Sequence, residues 1–323
     1  MKDFNGKIAV ITGGGTGMGR ELTRQLAVQG CHVSTCDIIE ENLEKTLEIS
    51  RSEADSGVRV TGHLCDVADE KQVLTFRDTV REEHQTNHIN LLFNNAGIGG
   101  GGSFIRRSRE EWERTFNICW NGVYYFTRAF MPMLLASTEG RVVNISSVDG
   151  LRGSLGGRVP HTAYSTAKFA VRGFTESLMH DFRFNAPHLK ASIVFPGWVG
   201  SKIVVNTQRI LGLKDPQDMS DEEIDQVRAL WRQNQQGDPE MDNDQIRRSL
   251  HEGMDNFSKG GLTPAGGLTP AQGAAIILQG VKDDQWRILV GKDAEALDRA
   301  IRKYPLEAYD LDFSKRIMEE WRR

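Results

Sequence analysis

The sequence opens with a short apolar segment, a turn rich in glycine and an amphipathic segment, and this order limits the possible folds more than any other feature. Residues 7–11 predict a buried strand. The turn contains Gly13, Gly17 and Gly19, and glycines let a backbone bend tightly and approach a phosphate group. Residues 20–29 carry apolar side chains at helical spacing. Because the amino end of a helix presents free amides, we predict that a pyrophosphate binds at this turn.

A second predicted strand, residues 32–36, ends in Asp37, which lies 20 residues after Gly17. A carboxylate at this place can accept hydrogen bonds from both ribose hydroxyls of an adenine dinucleotide, and it repels a 2′-phosphate. Asp37 could also cap the helix that follows, and the two roles are compatible. Neither the glycine turn nor Ile38 supplies a basic side chain for such a phosphate. The pattern therefore favours NAD over NADP as the cofactor.

Strands and helices continue to alternate along the chain. Further strands are predicted at residues 58–64, 89–93, 141–145, 191–195 and 286–290, and helices at 42–54, 69–84, 110–136, 162–184 and 271–281. Such alternation predicts an α/β fold with a doubly wound parallel sheet of seven strands, in a single domain spanning residues 1–323. Asp66 follows the third strand, where it could bond the adenine amino group or cap the helix at 69–84. The sequence leaves both interpretations open.

Tyr164 and Lys168 stand four residues apart on a predicted helix and therefore share one face. An ammonium group near a phenol favours the ionised form of the phenol, so the pair is a candidate proton carrier. The same spacing also arises by chance, and the pair gains weight only from its surroundings. Ser147 is one such neighbour, because it lies at the carboxyl end of a predicted strand, where open α/β sheets bind their ligands.

Taken together, these motifs resemble those of the short-chain dehydrogenase/reductase family, in its single-domain branch with a Rossmann fold. The resemblance extends over residues 5–201, and it is specific because many motifs occur in one order. They are Gly13-x-x-x-Gly17-x-Gly19, Asp66, Asn94-Asn95-Ala96-Gly97, Asn121, Ser147, Tyr164-x-x-x-Lys168 and Pro196-Gly197.

The resemblance implies an NAD-dependent oxidoreductase that interconverts a secondary alcohol and its ketone by hydride transfer. In this interpretation Tyr164 is the acid and base, and Lys168 stabilises its anion. Ser147 donates a hydrogen bond to the substrate oxygen, and Asn121 bends its helix and holds a water next to Lys168. His161, in the loop before Tyr164, is a less favoured second acid or base.

The resemblance also implies a set of cofactor contacts beyond the glycine turn and the two aspartates. Asn95 and Gly97 stabilise the central strand and touch the ribose, while a backbone amide near Val199 holds the nicotinamide carboxamide. The remaining expected contacts come from Met18, Val67, Ser201 and the pair Tyr164 and Lys168. In relatives the helix at 110–136 helps to form a dimer interface, so a homodimer or homotetramer is implied.

The regions that select the substrate lie outside these motifs. Residues 202–260 form an unusually long insertion, predicted to be a helical lid over the substrate, and residues 293–323 form an amphipathic tail that we expect to serve packing or oligomerisation. A capping box at 220–223 begins a helix with one apolar face. This face is expected to pack against a substrate pocket, a neighbouring subunit or the body of the domain. Trp198 is either a pocket wall or a part of the core.

We expect a small lipophilic alcohol or ketone as the substrate, because Trp198 and the lid face are apolar and no basic cluster awaits an acidic substrate. Two alternatives remain. One is a reductase of another carbonyl class, such as an NADP-using reductase of 3-oxoacyl thioesters. The other is a nucleotide-binding regulator without turnover, which the presence of the complete group of Asn121, Ser147, Tyr164 and Lys168 disfavours.

Composition excludes several other classes of function. The 40 basic and 44 acidic residues give a net charge of −4, which does not suit nucleic acid or an anionic membrane as a partner. We expect no membrane insertion and a cytoplasmic location, because the sequence has no apolar run of about 18 residues and no signal peptide. The spacing of the cysteines fits no metal site, so we expect no bound metal. We expect buried thiols at Cys31, Cys36, Cys65 and Cys119.

Overall fold

Seven strands form one parallel sheet in the order β3-β2-β1-β4-β5-β6-β7. The computed structural model describes residues 1–153, 160–234, 237–238, 240–259, 267–310 and 312–321. The strands are β1 Ile8–Thr12, β2 His32–Asp37, β3 Val60–Leu64, β4 Leu91–Asn94, β5 Gly140–Ile145, β6 Leu189–Pro196 and β7 Arg287–Val290. The predicted sheet is therefore confirmed, with each strand within a few residues of its expected place.

The chain reverses its direction of winding beside β1. This strand pairs with β2 on one side and with β4 on the other. The chain therefore adds β2 and β3 towards one edge of the sheet and β4 to β7 towards the other edge. A crevice opens at the carboxyl ends of the strands at such a switch point, and ligands of open α/β sheets bind there.

Helices connect the strands and cover both faces. They are α1 Gly17–Val28, α2 Glu40–Glu53, α3 Glu70–Glu83, α4 Arg109–Phe116, α5 Gly122–Leu135, α6 Thr162–Asn185, α7 Ile203–Ile210, α8 Asp221–Asn234, α9 Asn243–Ser258, α10 Pro270–Lys282, α11 Lys292–Lys303 and α12 Phe313–Trp321. None of the helices among the described residues is long and apolar enough to cross a membrane.

Two apolar clusters hold these layers together, and β1 contributes to both. Val10 packs with α3, α5 and α6 through side chains such as Phe76 and Phe126. Ile11 packs on the opposite face with α1 and α10, through side chains such as Leu26. Neighbouring residues of a strand point to opposite faces, so a strand buried on both faces needs the continuous apolar run seen at the start of the chain.

The helix predicted at 110–136 is interrupted in the structure. Between α4 and α5 the segment Asn117–Asn121 forms a π-helix, in which the backbone hydrogen bonds span one residue more than in an α-helix. Asn121 is the last residue of this segment. Single-turn π segments inside α-helices are frequent at functional sites, and this one distorts the helix where the sequence resemblance expects a bend.

The lid and the tail are largely helical, as predicted. Ser220 and Glu223 form the expected capping box at the start of α8, and α8 packs against α9, with Ile224 and Ile246 fully buried. The apolar face of α8 is thus buried in part within the lid itself. Helices α11 and α12 of the tail pack against each other. The predicted loop 148–163 and the lid 202–260 both extend into positions that lie outside the described residues, namely 154–159, 235–236, 239 and 260.

Candidate active site

The glycine turn brings α1 against the ends of β1 and β4 at very short range. A Cβ atom on Gly19 would lie 2.0 Å from the carbonyl oxygen of Gly13. Gly13 itself has φ +67°, and a Cβ there would lie 2.8 Å from the Cα of Ala96. Any larger residue at either place would force these elements apart, so the turn allows the close backbone approach that the sequence predicts.

A cleft opens above this turn at the carboxyl ends of β1, β2 and β4, and we call it the central cleft. Most of the residues expected to bind the cofactor line it together: Gly13, Gly17, Met18, Asp37, Asp66, Val67, Asn95, Gly97 and Ser201. Four expected residues do not line it, namely Gly19, Val199, Tyr164 and Lys168. Gly19 packs against Gly13, and Val199 is buried and bridges to Leu268.

The carboxylate of Asp37 is fixed at the rim of this cleft. One oxygen accepts a hydrogen bond from the amide of Gly15 at 2.8 Å, and the other accepts from the amide of Ile39 at 3.0 Å. A basic group does lie nearby, which the sequence pattern did not reveal. The guanidinium of Arg20 donates to Thr46 Oγ1 and to the carbonyl oxygens of Gly15 and Asn42, and burial lowers its pKa.

Asp66 does not cap α3, so one of its two predicted roles is wrong. The cap is Asp69, whose side chain accepts from the amides of Lys71 and Gln72. Asp66 instead accepts from the amide of Ala68 at 3.0 Å and pairs with the guanidinium of Arg114 at 2.7 Å. Arg114 also lines the central cleft. The structure thus adds a cation from α4 to the side of the cleft where the adenine contact was expected.

Helix α7 lies across the opening of the central cleft, and its residues Ile203, Asn206 and Ile210 form part of the lining. Asn206 donates to Thr16 Oγ1 at 3.0 Å. On the other side, the amide of Gly99 donates to Thr207 Oγ1 at 2.8 Å. One helix of the lid therefore joins the glycine turn to the segment after β4. No motif in the sequence pointed to these contacts.

Asn95 ties the ends of β1 and β4 together. Its side-chain amide donates to the carbonyl oxygens of Thr12 and Gly13 at 3.0 and 3.1 Å. Its backbone amide, with that of Ala96, donates to the hydroxyl of Thr12 at 3.0 Å. These bonds hold the floor of the cleft in a fixed shape.

The expected catalytic side chains meet at the carboxyl end of β5. Ser147 lies close enough to Tyr164 for its side chain to lower the pKa of the phenol. Lys168 is buried, donates from Nζ to the carbonyl oxygen of Ile145 at 2.9 Å, and lies 5.4 Å from the centre of the Tyr164 ring. Asn121 approaches from the π segment, where its side-chain amide donates to Asn117 Oδ1 at 2.8 Å.

Gly97 joins this group to the central cleft. A Cβ on Gly97 would lie 3.5 Å from Lys168 Nζ and 3.6 Å from Cys119 Sγ. Since Gly97 lines the cleft, Lys168 stands directly behind the cleft wall. The described geometry therefore places Lys168 next to the expected cofactor site.

The electrostatic surroundings of Tyr164 differ from the simple picture of a phenol activated by lysine. Burial raises the pKa of Tyr164, and the neighbouring Cys119 and Asp149 raise it further, whereas the side chain of Ser147 lowers it. Burial also lowers the pKa of Lys168, while Cys119 and Asp149 act in the opposite direction. The groups of the protein on balance keep the phenol protonated.

The motifs, their order and their geometry can be compared with known proteins. A model of the family described as short chain dehydrogenase matches residues 7–210. The chain belongs to the short-chain dehydrogenase family. Members of this family are oxidoreductases that bind a nicotinamide cofactor. The expected family is thereby confirmed, as is the expectation of an oxidoreductase.

Curated relatives of this short-chain dehydrogenase are 29–35% identical to it over aligned segments of 196–206 residues. The SadH protein of Mycobacterium tuberculosis is 35% identical over 206 residues, which cover 64% of this chain and 71% of SadH. Human epidermal retinol dehydrogenase 2 is 33% identical over 199 residues, or 61% of this chain and 62% of the human protein. The 3-oxoacyl-[acyl-carrier-protein] reductase FabG of Thermotoga maritima is 29% identical over 196 residues, covering 61% and 75% of the two chains.

Solved structures of other short-chain dehydrogenases share the fold over most of the chain. One from Burkholderia phymatum, in complex with NAD, is 26% identical, with a TM-score of 0.72, and covers 95% of this chain and 96% of its own. A metagenomic short-chain oxidoreductase in complex with NADP is 27% identical, with a TM-score of 0.53, over 60% of this chain and 83% of its own. Both nicotinamide cofactors thus occur among similar structures.

The short-chain dehydrogenase has two further ionisable groups beside Tyr164. Asp149 is 1% exposed, and its Oδ1 has no hydrogen-bond partner among the residues that the structure describes. Its Oδ2 lies 3.5 Å from Nδ1 of His161, and the His161 ring stands edge-on to the Tyr164 ring at 6.4 Å. The sequence had singled out His161 as a less favoured acid or base, but it had given no role to Asp149.

Proposed function

We propose that this protein is an NAD-dependent oxidoreductase that interconverts a lipophilic secondary alcohol and its ketone, with Tyr164 as the acid and base. One observation carries the proposal: Tyr164 stands next to the buried Lys168 and close enough to Ser147 for that side chain to lower its pKa, and Lys168 lies immediately behind the wall of the central cleft at Gly97. A hydroxyl or carbonyl oxygen that reached Tyr164 and Ser147 would hold its carbon close to a cofactor lying in that cleft.

The central cleft suits a nicotinamide dinucleotide. The start of α1 offers free amides to the pyrophosphate, at a turn too tight for a residue with a Cβ at Gly13 or Gly19. When bound, the nicotinamide ring supplies the hydride or accepts it. The carboxylate of Asp37 supports NAD rather than NADP. The amides of Gly15 and Ile39 hold its two oxygens at the end of β2, where a carboxylate repels a 2′-phosphate.

Arg20 does not weaken this preference for NAD. Its guanidinium already donates to Gly15, Asn42 and Thr46. Turning it towards a 2′-phosphate would break these bonds. Asp37 would also remain close enough to attract it, as the electrostatic influence of Asp37 on Arg20 indicates.

The proton chemistry follows from the surroundings of Tyr164. In ketone reduction the protonated phenol gives its proton to the substrate oxygen, and the raised pKa suits this role. In alcohol oxidation Tyr164 must first lose its proton. The side chain of Ser147 and the ammonium of Lys168 favour the phenolate, and the positive charge of the oxidised nicotinamide adds to them. Asn121 positions the water through which protons reach Lys168.

Apolar side chains near the site support a lipophilic substrate. Trp198, in the turn after β6, is half-buried and stands edge-on to Phe257 of α9 at 5.2 Å. Ile203 and Ile210 of α7 face the central cleft. The lid thus presents apolar groups on the side from which a substrate would enter.

Two further proposals concern the assembly and location of the protein. Tyr124 on α5 and Phe169 on α6 are 43% and 38% exposed, and such apolar surface supports a homodimer or homotetramer. Cys31, Cys36 and Cys65 are free and buried, as is Cys119, which supports a reducing compartment such as the cytoplasm.

Likeness to FabG favours one other candidate, an NADP-using reductase of 3-oxoacyl thioesters. A panel of steroid, cyclic, aromatic and acyl carbonyls, with the matching alcohols, separates the two when it is assayed with both cofactors. We expect turnover of lipophilic ketones and secondary alcohols with NADH and NAD. Turnover confined to 3-oxoacyl thioesters with NADPH would establish the other candidate, and no turnover across the panel would contradict both.

A further inference from the structure

The segment that follows the expected catalytic serine is held by the far end of the chain. We infer that the C-terminal tail, of which the structure describes residues 292–310 and 312–321, is a positioning element of the active site, which fixes the segment from Ser147 to Gly153 through Arg152 and Tyr309. The tail lies outside the part of the chain that matches the family, residues 7–210. The inference concerns how Ser147 is held and, for its effect on turnover, rests on the function proposed above.

Arg152 is the main link between the segment and the tail. It is 6% exposed, and its Nε donates to the carbonyl oxygen of Ala308. Its guanidinium lies over two aromatic rings of the tail, 5.6 Å from the centre of Tyr309 and 5.2 Å from that of Phe313. A planar cation that contacts two ring faces and a carbonyl oxygen has one preferred position. An aliphatic side chain in an apolar contact can instead adopt several.

Two further contacts fix the same segment. The amide of Gly153 donates to the hydroxyl of Tyr309 at 3.0 Å. Val148, the residue after Ser147, is buried in one apolar cluster with Leu297 and Phe313 of the tail. The segment therefore meets the tail at its beginning, at Arg152 and at its end.

The turn between Ser147 and Arg152 is short and internally bonded, so it transmits these constraints. The amide of Asp149 donates to Ser147 Oγ at 3.1 Å, and that of Gly150 donates to the carbonyl oxygen of Ser147 at 2.8 Å. The amide of Arg152 donates to the carbonyl oxygen of Val148 at 3.2 Å. A shift of Arg152 would therefore move the hydroxyl of Ser147 relative to Tyr164.

The tail also holds the turn after β6. Asp293 at the start of α11 accepts from the amide of Trp198 at 2.6 Å. A Cβ on Gly197 would lie 2.3 Å from the same carboxylate. The tail thus contacts both the segment 147–153 and the turn after β6 at the catalytic edge of the sheet. None of the family motifs lies in the tail.

The experiment compares Tyr309→Phe with Tyr304→Phe in the full-length protein. The first variant loses the hydroxyl that accepts from Gly153 but keeps the ring over Arg152. The second is a matched control, because the Tyr304 ring contacts Lys303 and Arg316 within the tail. Arg152→Lys is added because lysine keeps the charge and loses the planar group that lies over the rings.

Amide hydrogen exchange by mass spectrometry gives a readout that needs no substrate. We expect exchange in residues 147–153 to quicken by about fivefold in Tyr309→Phe, the size of one hydrogen bond, and by more in Arg152→Lys. Exchange in α1 and β1 should stay unchanged in all three variants. If the 147–153 peptides exchange alike in the wild type, Tyr309→Phe and Arg152→Lys, the tail does not position this segment, and the inference is overturned.

Steady-state kinetics then separates positioning from a general loss of stability. We expect kcat to fall by about fivefold in Tyr309→Phe and by up to about 100-fold in Arg152→Lys, with the Kd for NADH unchanged. Tyr304→Phe should match the wild type. Equal kcat in the wild type and all variants would overturn the effect on catalysis. If the wild type is inactive but residues 147–153 exchange faster in the variants, the proposed function is contradicted while the positioning by the tail remains supported.

Discussion

Lys168 donates a hydrogen bond from Nζ to the carbonyl oxygen of Ile145 at 2.9 Å, which fixes the buried ammonium at the carboxyl end of β5. Ser147 lies two residues further along the same strand end. The position of α6 on the sheet therefore determines how Tyr164, Lys168 and Ser147 meet. Backbone geometry, rather than direct contact between the ammonium and the phenol, sets the place of the lysine.

The charge of Asp149 should control the pH dependence of the reaction. Asp149 raises the pKa of Tyr164, so Asp149→Asn removes a charge that disfavours the phenolate. We expect the acid limb of the kcat/KM profile for alcohol oxidation to move to lower pH, because Tyr164 then loses its proton more easily. The alkaline limb should move in the same direction, since Asp149 also raises the pKa of Lys168.

The matched control for this charge is Asp181→Asn on the exposed side of α6, where the side chain accepts a hydrogen bond from Asn185. Its pH profile should coincide with that of the wild type. Identical profiles for Asp149→Asn and Asp181→Asn would show that Asp149 does not influence Tyr164 during turnover.

The carboxylate of Asp37 should determine the choice of cofactor. Asp37→Asn keeps an oxygen that can accept from Gly15 and removes the charge that repels a 2′-phosphate. We expect the affinity for NADPH relative to NADH to rise at least about tenfold, or about 1.4 kcal/mol, in fluorescence titrations. Glu40→Gln, in the first turn of α2, should leave the ratio unchanged. A wild type that prefers NADPH would contradict the role given to Asp37.

Contacts made by α7 should slow the release of the cofactor. Asn206→Ala removes the bond to Thr16 Oγ1, and the loss of one such bond, about 1 kcal/mol, predicts a release of NADH about fivefold faster in stopped-flow displacement. Val205→Ala is the control, because Val205 lies on the same helix and is 41% exposed. Equal release rates in the two variants would mean that α7 does not close over the cofactor.

Two glycine substitutions should change stability in opposite directions. Gly19→Ala places a Cβ 2.0 Å from the carbonyl oxygen of Gly13, and overpacking of this kind costs about 1–3 kcal/mol. Gly173 lies in α6 with nothing within 4 Å of its Cβ position, so Gly173→Ala should stabilise the protein by about 0.5–1 kcal/mol. Urea unfolding measures both. A Gly19→Ala variant as stable as the wild type would contradict the close contact at the turn.

The sequence was most informative where function depends on local pattern. The glycine turn, the strands and the spacing of Tyr164 and Lys168 are all short-range features, and a regular alternation of strands and helices leads to the observed sheet. Ser147 could be placed by its match to the family motif and because it follows a strand, and parallel strands bring their carboxyl ends to one edge of the sheet. These features needed no knowledge of which distant residues touch.

Features that depend on long-range contact could not be predicted. Arg114 looked like any charged residue of an amphipathic helix, yet it pairs with Asp66 in the central cleft. Arg152 and Tyr309 are separated by 157 positions, and neither carries a motif. The π segment itself was not visible in the apolar pattern, although the family resemblance predicted a bend at Asn121. In each case the contact depends on the assembled sheet rather than on neighbours in the sequence.

The most direct test of the proposed function is the kinetics of Tyr164→Phe, assayed on an alcohol or ketone that the wild type accepts. Phenylalanine keeps the ring beside Lys168 and removes the hydroxyl that interacts with Ser147. We predict that kcat falls by at least about 100-fold, the usual contribution of a general acid or base, while the Kd for NADH stays within about twofold. Unchanged turnover in Tyr164→Phe would contradict the assignment of Tyr164 as the acid and base.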